Sequence, residues 1–213
     1  YQSGPLSFEY FLDGIKIISN CGFGDKISNK AELLSRLTAC QSTLTLNDTS
    51  VTKFERNKLV NKVFGNSIKN NFKIYNIRSN IEKNIIYCSA EHSGYEKKFG
   101  CIHKREIFLD KENNYLGGSD HIFKKKDGIP IRYVFRFHIN PELTVVKTMS
   151  GNSALIQLSK NKSLLFTASG ENLEVEKSIF LGGKKISDNT CITISGNLVN
   201  KNKSFKWEIK KNL

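Results

Sequence analysis

Short runs in which apolar and polar residues alternate recur along almost the whole chain of 213 residues. Gly, Asn, Asp and Ser, the residues that favour turns, stand between these runs. Successive side chains of a strand point to opposite faces, so a period of two indicates strands with one buried face. The sequence therefore predicts an all-β fold, a large antiparallel β-sandwich of the super-sandwich type with about 12–16 strands and minimal helix.

The turn residues divide the chain into about fourteen predicted strands. Asp13-Gly14 is a favoured two-residue hairpin turn between the first two. The predicted strands are Leu6–Leu12, Ile15–Ser19, Ser42–Leu46, Phe72–Ile77, Ile85–Ala90, Cys101–Leu109, Asn114–Phe123, Ile131–His138, Leu143–Thr148, Ser153–Leu158, Leu164–Ala168, Leu173–Leu181, Thr190–Ser195 and Phe205–Ile209.

Two segments depart from the alternation. Asn29–Leu37 has a capping-type Ser28 or Asn29 and an acidic first turn, so a short helix is expected, although an irregular crossover fits equally well. Asp48–Asn71 is polar and weakly periodic, which indicates a long surface loop.

The length suits one domain covering residues 1–213, and no internal repeat or linker divides it. The chain begins at Tyr1, without Met, in a segment that already has strand character. We therefore expect a processed or cut end, and the C-terminal part of a longer protein. No apolar run approaches the length of a transmembrane helix, so no membrane span is expected.

The chain has a formal net charge of +13, carried mainly by lysines spread over many turns. Such a charge suits an anionic polysaccharide, an anionic membrane or nucleic acid, but it also arises when lysines accumulate on solvated faces. No Arg-rich helix or groove-reading motif is present, so nucleic acid is not expected as a partner.

Five cysteines are present, at positions 21, 40, 88, 101 and 191. Their wide spacing and the absence of a CxxC pair argue against a structural zinc site or a dense disulfide framework. Free thiols that pack as small apolar side chains are expected, and one long-range disulfide remains open.

Two segments contain candidate functional residues. EHSGYEKKFGCIHKREI contains His92 and Tyr95, a possible acid and base, and cations such as Lys104 that could neutralise a carboxylate. In RYVFRFHINP, Arg136 and His138 share a strand face opposite the aromatic residues, where they could bind an anion. In both segments the alternative is that the aromatics pack and the cations face water. A serine hydrolase or a Gly-rich phosphate loop is not indicated.

Five blocks, in their order and approximate spacing, resemble the C-terminal β-sandwich of bacterial heparinase II/III-like proteins. They are SGPLSFEYFLDGIKIISNCGFG, LSRLTACQSTLTLNDTS, GYEKKFGCIHKREIFL, RYVFRFHINP and SIFLGG. The resemblance implies a polysaccharide lyase that cleaves uronic-acid-containing glycans by β-elimination. It also implies an upstream α/α-toroid, absent from this chain, that carries most of the catalytic machinery including a Tyr. The sandwich would form one wall of the substrate cleft, with His92, Tyr95 and His138 as candidate catalytic residues.

The sequence departs from the family's pattern at three positions. Gln2, Asn20 and Gln41 stand where the resemblance would place His, Asp and His, and amides are poor zinc ligands. We therefore expect that the family's metal site is lost and that no cofactor binds. Amides can still hydrogen-bond a sugar, so the predicted substrate-binding residues are Gln2, Asn20, Gln41, Lys104 and Arg136.

The leading hypothesis is the β-sandwich of a heparinase-like lyase that acts on an anionic polysaccharide, inactive without its toroid. A degenerate lyase homologue and a non-catalytic carbohydrate-binding or structural sandwich are the alternatives. A binding sandwich needs exposed aromatics, whereas the single Trp207 lies in the last predicted strand, where core packing is expected. The resemblance implies the periplasm or cell envelope, while the unpaired cysteines favour a reducing compartment such as the cytoplasm.

Overall fold

The strand register of the protein follows the alternation in its sequence. The computed structural model describes residues 2–55, 59, 61–62, 65, 67–69, 72–125, 128–199 and 202–212. In these residues the strands are β1 (Tyr10–Leu12), β2 (Ile15–Ser19), β3 (Leu44–Leu46), β4 (Lys53–Phe54), β5 (Ile68–Lys69), β6 (Ile74–Glu82), β7 (Ile85–Tyr95), β8 (Cys101–Asp110), β9 (Tyr115–Lys124), β10 (Ile131–Ile139), β11 (Thr144–Lys147), β12 (Ser153–Ser159), β13 (Lys162–Ser169), β14 (Glu174–Phe180), β15 (Ser187–Leu198) and β16 (Asn202–Lys211).

Most strands belong to two stacked antiparallel sheets, which confirms the predicted all-β sandwich. Within the described residues the first sheet has six strands in the order β1-β2-β10-β15-β14, with β3 also paired to β10. The second has eight, in the order β11-β12-β13-β16-β9-β8-β7-β6, and β4 pairs only with β5.

Aromatic side chains from both sheets meet in the core. Phe137 of β10 lies 5.0 Å from Trp207 of β16 and 4.9 Å from Phe166 of β13, between ring centroids. Phe135 contacts Phe205 at 4.9 Å. Burial of such large rings is the main stabilising contribution of a core, so the core position expected for Trp207 is confirmed.

The backbone of β9 fits against this core at Gly118. A Cβ at that position would lie 2.2 Å from Cζ2 of Trp207, closer than atoms can approach. Only a residue without a side chain lets the indole pack flat against the strand.

The short helix and the first turn follow their sequence signals. α1 covers Asn29–Ser35, and the hydroxyl of its N-cap Ser28 accepts a hydrogen bond from Ala31 N. A second helix, α2 (Glu96–Phe99), is a single turn between β7 and β8. Asp13 and Gly14 both adopt positive φ, as a tight hairpin turn requires.

Two predictions about irregular segments need correction. Residues 6–9 do not extend β1, because Leu6 has a φ of 59° and Ser7 N bonds back to Gly4 O in a turn. The loop predicted over Asp48–Asn71 contains the ribbon of β4 and β5, and residues 56–58, 60, 63–64, 66 and 70–71 lie outside the described part. In the described part of the chain, no helix has the length and apolar character needed to cross a membrane.

Candidate functional site

Four of the predicted site residues come together on the outward face of the six-stranded sheet. Asn20, Gln41, Arg136 and His138, named here the Arg136 cluster, lie where residues 20–43 cross β2 and β10. Ser42 joins the two parts: its backbone N donates to Asn20 Oδ1 at 2.8 Å, and its hydroxyl accepts from His138 N at 3.0 Å. The neighbouring residues of β10 with opposite orientation point into the core, so Arg136 and His138 share the predicted face.

Residues 22–40, named here the covering segment, are held against the sheet by a close backbone contact at Gly22. Its φ of 74° is unfavourable for other residues, and a Cβ there would lie 2.4 Å from Gly182 N. Residues 22–40 include α1 and two 3₁₀ turns, Gly24–Lys26 and Thr38–Cys40. This segment encloses His138, which is only 2% exposed although it lies on the outward face.

The imidazole of His138 has a defined set of partners. Nε2 lies 3.0 Å from Ala39 O, which can only accept, so Nε2 carries the hydrogen. Nδ1 then accepts, from the Cys21 thiol at 3.5 Å or the Ser178 hydroxyl at 3.4 Å. Burial lowers the pKa of His138 to about 4. The hydrogen bond to Ala39 opposes this change, and the charge of Arg136 adds to it. The ring is therefore neutral near neutral pH.

Arg136 is the partly accessible cation of the cluster. Its Nη1 donates to Thr45 Oγ1 at 2.6 Å, and its Nη2 lies 3.8 Å from Asp48 Oδ1. Asp48 is shared with the exposed Arg132, whose Nη1 lies 2.9 Å from its other oxygen. The Arg136 side chain is 17% exposed. A guanidinium with one strong and one long contact retains donors for an incoming carboxylate or sulfate.

The cysteines beside His138 form a thiol pair. Hydrogen bonding to Cys40 and burial raise the pKa of Cys21. The same hydrogen bond and the charge of Arg136 lower the pKa of Cys40, although burial opposes the change. All five cysteines are free thiols, as the spacing in the sequence led us to expect.

The amides of the cluster do not fit a metal site. Asn20 Oδ1 is occupied by the Ser42 N–H, while Gln41 Nε2 donates to Ser35 O at 2.8 Å. Gln41 Oε1 is buried without a hydrogen-bond partner in the described residues, and Gln2 is exposed. Among the residues that the structure describes, no group of three or more His, Cys, Asp and Glu side chains is placed to hold a metal ion.

His92 and Tyr95 lie in the interior, away from the Arg136 cluster. His92 Nδ1 accepts from Gly94 N at 3.1 Å, so its Nε2–H donates to His103 Nδ1, also at 3.1 Å. The Tyr95 hydroxyl lies 3.0 Å from both Leu44 O and Thr49 O, and burial raises its pKa. Both side chains have structural partners, and substrate would reach them only if the interior opened.

The buried hydrogen-bond chain ends at Asp120, which the sequence did not single out. His103 Nε2 donates to Asp120 Oδ1 at 2.7 Å, and Arg105 donates to both carboxylate oxygens, at 2.8 and 3.1 Å. Trp207 Nε1 adds a fourth bond at 2.8 Å. Burial opposes ionisation of Asp120, but Arg105 and His103 hold its pKa below the usual range. Asp120 lies opposite Arg105 in the β8–β9 register. This pairing of opposite charges on neighbouring strands was the sequence signal from which Asp120 could have been predicted.

Lys104 lies on the other outward face, that of the eight-stranded sheet. Its Nζ is 2.9 Å from Glu106, which also accepts from Tyr87 at 2.9 Å and Ser119 at 2.8 Å. Burial opposes ionisation, but these three donors lower the pKa of Glu106 to about 2. Glu106 borders a groove of about 680 Å³. Its lining includes the aromatic side chains Tyr87, Phe108 and Tyr115 together with Ser119, Thr167, Lys206 and Glu208.

Comparisons with known proteins identify the family and the fold of the chain. Residues 1–208 match the family model described as heparinase II/III-like, C-terminal. The chain belongs to this family. A comparison with curated protein sequences finds no match.

Among solved structures, the heparan sulfate lyase HepC from Pedobacter heparinus has a TM-score of 0.76 at 13% identity. A heparinase III gene product has a TM-score of 0.71 at 14% identity, and a structure described as heparinase III has 0.70 at 15%. Each alignment covers 99% of this chain and 30% of the other. These similarities show the shared fold, and the chain spans about 30% of the length of those proteins.

Proposed function

We propose that the chain is the β-sandwich of a heparinase II/III-like polysaccharide lyase and forms one wall of a cleft for uronic-acid-containing glycans. The family membership supports this proposal, as does the fold shared with a protein described as a heparan sulfate lyase. The position of the wall depends on the Arg136 cluster, because this cluster combines a partly exposed guanidinium with the partly exposed amide of Asn20. The net charge of +13 suits an anionic polymer.

The chemistry of β-elimination assigns different tasks to the two parts of such an enzyme. Removal of the proton beside a uronate carboxylate places negative charge on that carboxylate, which a nearby cation stabilises. Arg136 would supply this charge. His138 is enclosed and bonded to Ala39, so we assign it to positioning of the covering segment and not to proton transfer.

The proposal therefore places the base and acid in an upstream toroid of the same protein, and this chain alone would be inactive. We also propose that the protein works in the periplasm or cell envelope, where anionic glycans are accessible. Asn20 would hydrogen-bond the sugar beside Arg136, whereas Gln41 is fully buried, donates to Ser35 O and would hold the covering segment in place.

The test uses the full-length protein with heparan sulfate, hyaluronan, alginate and chondroitin, and follows the ultraviolet absorbance of the unsaturated product. We expect activity on at least one polymer. Arg136→Gln should lower kcat/KM about 10–100-fold, the effect of losing a charge-assisted hydrogen bond. Lys104→Gln is the matched control, because Lys104 lies on the opposite outward face. Absence of product with every polymer contradicts the lyase, and equal effects of the two variants contradict the position of the wall.

A second candidate function is non-catalytic carbohydrate binding by the groove beside Glu106. Partly exposed aromatics of the kind such a sandwich needs are present there, with the rings of Phe108 and Tyr115 6.2 Å apart. Because Glu106 and Glu208 border the groove, it suits a neutral sugar better than a uronate. Calorimetric titration with neutral oligosaccharides should give binding that Tyr115→Ala removes and Arg136→Gln leaves unchanged. Binding that is insensitive to Tyr115→Ala contradicts this candidate.

A further inference from the structure

Two cysteines far apart in the sequence are brought into contact at the base of the covering segment. Cys21 follows β2, and Cys40 ends the 3₁₀ turn Thr38–Cys40. The backbone N–H of Cys21 donates to Cys40 O at 2.9 Å, and each thiol perturbs the pKa of the other. This bond holds the two residues side by side, and a disulfide requires Cα atoms about 4.4–6.8 Å apart.

The two thiols differ in their access to solvent. Cys21 is 1% exposed and lies under the segment beside His138, whereas Cys40 is half-buried at the edge. A small reagent can therefore reach Cys40 first, and Cys21 is placed to act on the product. Cys191 lies nearby but is buried within β15, and the exposed Cys88 lies in β7 of the other sheet.

We propose that Cys21 and Cys40 are a redox modification site, at which a low-molecular-weight disulfide such as oxidised glutathione drives formation of an intramolecular disulfide. The Cys40 thiolate attacks one sulfur of the reagent and displaces one thiolate, which gives a mixed disulfide. The sulfur of Cys21 then attacks Cys40 Sγ and loses its proton as the new bond forms. The second reagent thiolate leaves and is protonated. Two cysteine thiols are thus oxidised to a cystine while one disulfide is reduced to two thiols.

The disulfide would close a ring over residues 21–40, which contains α1 and ends beside Asn20 and Gln41. Closing this ring would fix the segment that encloses His138. Asn20 and Gln41, the amides of the Arg136 cluster, lie directly beside the ring. The inference goes beyond the proposed function and does not depend on it, because it concerns only the thiols and the segment between them.

The test is a redox titration of the purified protein in buffers with increasing ratios of oxidised to reduced glutathione. Free thiols counted after denaturation should fall from five to three, and peptide mapping should find Cys21 linked to Cys40. Cys88→Ser is the matched control, and it should lose the same pair. Five free thiols under fully oxidising conditions, or a linkage that joins another pair, would overturn the proposal.

A second measurement separates closure of the ring from oxidation alone. The melting temperature should rise by about 5–10 °C on oxidation, because the cross-link restricts the unfolded chain. Cys40→Ser should abolish this redox-dependent rise in melting temperature. If the variant folds poorly, the peptide map of the oxidised wild-type protein still tests the linkage independently. An unchanged or lower melting temperature in the linked wild-type protein would overturn the role in closing the segment.

Discussion

Replacing Asp120 with Asn removes the charge at the centre of the buried network while keeping the size of the side chain. The carboxylate accepts four hydrogen bonds, two at each oxygen, from His103, Arg105 and Trp207. An amide has one acceptor end and one donor end. Whichever way it lies, its NH₂ group faces two donors, and the buried guanidinium of Arg105 loses its counter-ion.

The expected cost is therefore that of breaking a buried ion pair from one side, about 3–5 kcal/mol of unfolding free energy. The Asp120 side chain is fully buried, so solvent screening does not reduce this value. Two further hydrogen bonds from Arg105, to Leu6 O and Ser42 O, hold the guanidinium in place and prevent it from moving to water. Domains have total stabilities of about 5–15 kcal/mol, so Asp120→Asn should remove a large part of the total.

Urea unfolding followed by Trp207 fluorescence measures the loss. With an m value of about 2–3 kcal/mol/M, the midpoint should fall by about 1–2 M. Asp188→Asn is the matched control: Asp188 is exposed in β15, and its change should stay within about 0.5 kcal/mol. Adding Arg105→Met to Asp120→Asn should cost less than the sum of the single changes, because it removes the unpaired charge. A loss below about 1 kcal/mol for Asp120→Asn would refute the reasoning.

Three further outcomes follow from the geometry. The folded-state pKa of His138 is depressed to about 4, so its contribution to stability is present above about pH 6.5 and is lost as the pH falls towards 4. The loss should be about 3 kcal/mol of unfolding free energy. His138→Gln should flatten the fall of the urea midpoint with pH, and an unchanged slope would contradict the assignment. Gly118→Ala forces a Cβ against Trp207 and should cost about 1–3 kcal/mol, whereas Gly128→Ala, with open space around it, should be nearly neutral in the same assay. Ser28→Ala removes the cap of α1 and should lower the unfolding free energy by about 1 kcal/mol, and no change in the urea midpoint would argue against the cap.

The strands were predictable because their register repeats a local rule. The polar Arg132 and Arg136 alternate with Tyr133, Phe135 and Phe137 in β10, and the sheet buries the aromatic set. Strand ends were less predictable, since β7 and β15 continue past their predicted ends through polar residues whose partners lie on other strands. Leu6 shows the same limit, because its positive φ belongs to a turn that has no signal in the alternation.

The site was predictable only where residues are close in the sequence or lie on one strand face. Arg136 and His138 were placed together by alternation, but their contact with Asn20 and Gln41 depends on how residues 20–43 cross the sheet. The same crossing buries His138, which sequence alone would leave exposed on a polar face. Such contacts join residues separated by about a hundred positions, and local patterns carry no information about them.

The burial of His92, His103 and Tyr95 bears on how the protein divides structure from chemistry. Each of these side chains is of a type used in catalysis, yet each is held by hydrogen bonds within the core. In the hydrogen-bond chain that ends at the Asp120 carboxylate, the neutral imidazoles orient one another and fix their tautomers. This favours one arrangement of the two sheets. A rigid sandwich of this kind suits a wall that positions substrate, because a displaced cation stabilises developing charge poorly. In the proposed lyase, the groups able to move protons would come from the other side of the cleft, and the partly exposed Arg136 would mark where this wall meets the glycan.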